Sequence, residues 1–161
     1  MIGIDTYSWY KLLLLLNEGW KDLIEEVLQS GQFFVTNEVK KEVEFRFKDQ
    51  SHILRLVTIL PLIDIDYDSY SKKGFDEADA SLLEYNQRNG YLILTEDQAM
   101  IAEGVTENKT IIQLADFFGL LMRDGYVEAK EFYHIVKRLR KMRNITKKKE
   151  KELLEFRNST D

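Results

Sequence analysis

Two aspartates stand where short apolar runs end. Asp5 closes Ile2-Gly3-Ile4, and Asp97 follows Leu92-Ile93-Leu94 by three residues. In open α/β sheets ligands gather at the carboxyl ends of strands, so both carboxylates occupy positions where such a fold concentrates chemistry. Each has hydroxyls beside it, Thr6 and Ser8 near Asp5 and Thr95 near Asp97. A hydroxyl there can orient a carboxylate, as outer groups do around metal ligands. Two further acids fall on or beside apolar helical faces. Glu42 neighbours Val39, Val43 and Phe45, and Asp79 lies one turn before Leu82 and Leu83. Burying an ionised carboxylate without a partner is expensive, so both need a reason to be there.

If the four acids meet, the cluster either takes up protons or binds cations: unit charges about 4 Å apart repel by roughly 4 kcal/mol at an effective dielectric near 20. Hard oxygen ligands favour Mg²⁺ or Mn²⁺. Phosphodiester hydrolysis is the chemistry that uses such a site. Each acid alone also has an ordinary reading. Asp5 could cap a helix, Glu42 could be a solvated helix residue, and Asp97 could open a helix, as first-turn acids commonly do. Their joint arrangement carries the chemical reading.

Composition removes the rivals. With no Cys and only His52 and His134, disulfides, iron–sulfur clusters, cysteine nucleophiles and Cys/His zinc sites fall away. Absence of Cys suits a reducing cytoplasm. The longest apolar run, Leu12 to Leu16, is five residues, against the roughly 20 that cross a bilayer, and no cationic segment precedes it. Neither a membrane span nor a leader is expected.

The elements that must position these acids alternate. Strands are expected near Met1–Asp5, Phe33–Val35, Tyr91–Leu94 and Thr110–Ile112, and a strand edge at Ile63 and Ile65. Between them run helices through Leu16, over Trp20–Gln29, after Thr36 or Asn37, over Phe75–Arg88 and from Glu96 or Asp97, with a helical stretch at Ile53–Val57. Leu114–Met122, the stripe Phe132, Ile135, Val136, Leu139 and Met142, and a short last helix around Leu153, Leu154 and Phe156 follow. Short strands alternating with helices predict an α/β fold, a three-layer α/β/α sandwich with a mainly parallel central sheet and extra C-terminal helices.

Charge is uneven within the 161 residues. Between Lys137 and Lys151 nine basic residues face one acid, Glu150, a net +8; the rest carries −13, giving −5 overall. Such an arm can bind a polyanion or form a solvated helical face.

In order and spacing, four segments resemble the PIN-domain family, small metal-dependent nucleases that include the VapC-type toxins of toxin–antitoxin pairs. They are Ile4-Asp5-Thr6-Tyr7-Ser8, Glu38 to Val43, Glu77 to Leu83, and Leu94-Thr95-Glu96-Asp97. The resemblance covers about residues 1–125 and leaves 126–161 as a helical extension. It implies metal ligation by Asp5, Glu42, Asp79 and Asp97, with Thr6, Ser8 and Thr95 in support. Glu38 and Glu77 compete with Glu42 and Asp79. The implied activity is endonucleolytic cleavage of single-stranded RNA with one or two Mg²⁺ or Mn²⁺ ions. A homodimer and a small antitoxin partner are implied as well. Lys137, Arg138, Arg140, Lys141 and Arg143 are the expected phosphate contacts. Two other readings are a nuclease-like fold whose acids are idle in a binding or regulatory subunit, and a receiver-like domain, which expects an acidic pair where Asp5 stands alone.

Overall fold

A computed structural model describes residues 1–30, 32–61, 63–107 and 109–158. Five parallel strands, β1 (Ile2–Ile4), β2 (Phe33–Thr36), β3 (Thr58–Leu60), β4 (Leu92–Leu94) and β5 (Ile111–Ile112), form one sheet in the order β3-β2-β1-β4-β5. Parallel neighbours need crossovers, and helices supply them: α1 (Thr6–Leu15), α2 (Lys21–Gln29), α3 (Asn37–Arg46), α4 (Tyr67–Lys72), α5 (Glu77–Asn89) and α6 (Gln98–Thr106). The chain adds β2 and β3 on one side of β1, then returns to add β4 and β5 on the other. Crossovers of one hand then put helices on both faces, which gives the three-layer α/β/α arrangement.

Local chemistry sets several boundaries. Glu18 and Gly19 leave helical geometry in a π-helical turn, Leu16–Trp20, that separates α1 from α2. Gly90 ends α5 in the left-handed conformation that favours glycine. Thr36 caps α3 by accepting from the Val39 N–H. At the sheet centre Gly3 pairs with Phe34 and Ile93. A Cβ on Gly3 would stand 2.7 Å from Phe34 Cζ, 2.8 Å from Ile93 Cδ1 and 3.1 Å from Leu82 Cδ2. The missing side chain thus lets α5 lie close on β1.

One expectation changes here. The strand expected at Ile63 and Ile65 is instead Thr58–Leu60, before Pro61, which has no N–H to continue a ladder. The stretch before it is a 3₁₀ helix, Lys48–Leu56. A short helix, α4, follows where Asp66 accepts from the Ser69 N–H.

The chain divides into two compact units, Met1–Ile112 and Gln113–Asp161. The second holds α7 (Leu114–Arg123), α8 (Ala129–Lys141) and α9 (Lys147–Asn158). Helix α7, which falls before the sequence division at 125, packs with this unit: Phe132 and Leu153 lie 3.8 and 3.9 Å from where a Cβ on Gly119 would be. Thr146 accepts from the Lys149 N–H, starting α9 well before the apolar residues that suggested a short helix. Among the described residues no helix is long and apolar enough to cross a membrane.

Candidate functional site

The sheet order reverses between β1 and β4, and the crevice outside that point is where open α/β sheets place ligands. Asp5 leaves β1 there. It is buried, at 4 % exposure, and caps α1 by accepting from the Ser8 N–H at 2.6 Å. Its other oxygen accepts from the Thr95 hydroxyl and, at 3.3 Å, from the Glu96 N–H. Thr95 in turn accepts from the Asp97 N–H at 3.0 Å, so one hydroxyl joins the two strand ends. Asp97 caps α6 through Oδ1, which accepts from the N–H groups of Ala99 (2.6 Å) and Met100 (3.1 Å). The capping and chemical readings of Asp5 and Asp97 are therefore compatible. Each carboxylate is fixed by a cap, and Asp97 keeps Oδ2 for another partner.

Asp79 enters from α5. Burial, then the charges of Asp76, Asp97 and Asp5, push its carboxyl up to about 7. Asp5 is raised too: burial outweighs the hydrogen bonds from Thr95, Ser8 and Glu96 that lower it. Burial is the first cause of both shifts, and for Asp79 the neighbouring carboxylates add to it. Asp76 accepts from the Asp79 N–H at 3.0 Å and thereby caps α5, and its charge adds to the rise of Asp79. The Asp76 and Asp79 spacing in Asp-Glu-Ala-Asp was the available signal.

Glu42, on α3, is tied to this end of the sheet through Thr6 and is not among the acids that raise Asp79. Its Oε2 accepts from the Thr6 hydroxyl at 2.6 Å, which ties it to the residue after Asp5. Of the competing acids, Glu38 is buried and reaches Lys41 at 3.8 Å; it helps to raise the Tyr67 and Tyr85 phenols, and Glu77 helps to raise Tyr67. A buried hydroxyl pair, missed in the sequence, steadies α5 against the end of β2. Ser81 donates to Ala78 O at 2.7 Å, so across the 2.6 Å contact Thr36 donates to Ser81.

The basic residues belong to the helical unit. Lys137 Nζ stands 2.7 Å from Glu150 Oε1, and Arg140 Nε stands 3.7 Å from Oε2 of the same carboxylate. Lys141 and Arg143 are exposed, Arg138 half-buried.

Comparison with protein-family models, curated proteins and solved structures returns no match. The site therefore rests on its own geometry. Among the described residues no group of three or more His, Asp or Glu side chains is arranged to hold a metal ion as it stands. The donor set nonetheless suits a hard cation: all oxygen, with Asp79 raised by burial and then by the charges of three neighbouring acids. A divalent ion would relieve that repulsion as protonation does.

Proposed function

We propose that this chain is a metal-dependent endoribonuclease that cleaves phosphodiester bonds of single-stranded RNA. The observation that carries the reading is the joining of Asp5 and Asp97 through one buried hydroxyl, Thr95, at the point where the sheet order reverses, with Asp79 raised beside them. Asp5, Asp79 and Asp97 would hold one or two Mg²⁺ or Mn²⁺ ions, and Glu42 would complete the set directly or through water. When bound, such a metal would supply Lewis acidity to activate water and offset charge developing on the phosphate. Thr95 is a positioning residue: its hydroxyl fixes Asp5 and, through the Asp97 N–H, the start of α6. Thr6 does the same for Glu42. One carboxylate orients the attacking water. The exposed cations of α8 contribute phosphate contacts that do not read sequence.

The family that the sequence resembles points to a cytoplasmic toxin that pairs as a homodimer and is silenced by a small antitoxin. Growth arrest on expression, relieved by Asp5→Asn, is the expected sign of that role. The activity itself is tested by incubating mixed RNAs with the protein and Mn²⁺. Cleavage that needs the metal and vanishes in Asp97→Asn supports the proposal. Equal cleavage by Asp97→Asn overturns it, and RNA binding without cleavage favours an idle binding subunit.

A further inference from the structure

Helix α3 carries an aromatic residue that the core does not use. Val39 and Val43 fill its buried face, whereas Phe45 is 78 % exposed. Lys41 and Phe45 are one turn apart, as are Glu42 and Arg46, so the four share one face. They line an open depression of about 470 Å³. Across from it, Tyr7 on α1 is 57 % exposed, and the Arg46 guanidinium carbon lies 5.9 Å from its ring centroid. Lys41 is 74 % exposed and reaches Glu38 only at 3.8 Å. Of the candidate acids, Glu42 lines this depression and is bound by Thr6, the residue after Asp5.

We infer that this face, Tyr7, Phe45, Arg46 and Lys41, is the cradle for the single-stranded RNA, which stacks bases on the two rings and sets phosphates on the two cations. The inference rests on the nuclease reading and locates its substrate. Exposed rings interleaved with cations are what a single strand binds without reading sequence: every base has a stacking face, and the backbone is a polyanion. Charge argues against a second copy as the occupant. In a two-fold contact the same patch meets itself, bringing Lys41 and Arg46 toward their own counterparts while Glu42 is already engaged by Thr6. A polyanion meets the same cations favourably.

The test is anisotropy of a fluorescein-labelled oligoadenylate of about ten nucleotides, a length within the usual single-strand site sizes, titrated with the full chain in EDTA. Phe45→Ala is expected to weaken binding about tenfold, within the range for loss of one stacked base. Phe45→Trp keeps wild-type affinity, and its added indole emission is quenched by the RNA. An abasic ribose-phosphate strand of the same length binds wild type and Phe45→Ala alike. Equal oligoadenylate affinity of wild type and Phe45→Ala, or no binding by wild type, overturns the proposal. So does a dimer, seen by sedimentation, that Phe45→Ala dissociates without changing RNA affinity. Because EDTA removes cleavage from the readout, Asp97→Asn separates the two ideas. Its binding keeps the dependence on Phe45 even if the nuclease reading fails, and RNA cleavage can persist even if the cradle lies elsewhere.

Discussion

The strand ends and the C-terminal helices handle charge in opposite ways. At the strand ends Asp5, Asp76, Asp79 and Asp97 gather with no cation paired to them among the described residues, and the Asp79 carboxyl is pushed up to about 7. In the helical unit Glu150 takes Lys137 and Arg140, and Asp116 takes Lys149. Glu150 and Asp116 are thus paired with cations, whereas among the described residues the acids at the strand ends are not. An uncompensated cluster that survives in a folded domain marks a place for a ligand of the opposite sign. Raw charge pointed to the arm; charge left without counter-charge points to the strand ends.

The largest expected effect breaks this comparison on the acidic side. Asp97→Asn or Asp5→Asn lowers Mn²⁺-dependent RNA cleavage by about three orders of magnitude, since charge stabilisation by the metal is worth several kcal/mol. Rate measurement under saturating metal checks it.

Stability against pH comes next. The carboxyl of Asp79 sits at about 7 in the folded chain against its ordinary 3.8, so the folded state holds the proton more tightly. The stability this contributes is fully present below 3.8 and is lost as pH rises through about 7. Asp79→Asn should therefore stabilise the protein at pH 8 by about 1–2 kcal/mol, after allowance for partial solvent screening, and leave it little changed at pH 4. Chemical denaturation at the two pH values reads the difference. Millimolar Mg²⁺ should likewise raise the melting temperature of the wild type more than that of Asp79→Asn.

Thr95→Val removes a hydroxyl that is buried between Asp5 and the Asp97 N–H. It should destabilise by about 1–3 kcal/mol and weaken metal binding 10- to 100-fold. Denaturation and metal titration check the two parts separately. Gly3→Ala tests whether α5 must lie so close to β1; with Phe34 Cζ 2.7 Å from the added Cβ, a loss of about 1–3 kcal/mol is expected. The smallest effect lies in the arm: Lys137→Ala, which removes one of the two cations paired with Glu150, should leave the melting temperature unchanged and reduce the salt dependence of RNA affinity slightly.

The parts of the site legible in the sequence were those fixed within one element. Asp5 and Asp97 announce themselves by ending apolar runs, and Thr95 by standing between the strand and Asp97. What needed the structure came from elements meeting. Thr6 reaches Glu42 only because α1 and α3 approach, and the Thr36 to Ser81 hydroxyl bond spans the sheet end and α5. The alternation of Ile63 and Ile65 with aspartates imitated a strand, whereas the real edge, Thr58–Leu60, is largely exposed and shows little hydrophobic alternation. Edge strands carry that weakness because only one side of them is paired. Phe45 reads in the sequence as one more apolar helix position; only its exposure separates it from Val39 and Val43.

The claim at the centre of the account is that Asp79 sits in a carboxylate cluster awaiting a cation. Carbon-13 chemical-shift titration of the Asp79 carboxyl tests it directly. The account predicts a midpoint near 7 without metal and a marked fall when Mg²⁺ is added. A midpoint near the ordinary 3.8, unmoved by Mg²⁺, would contradict it.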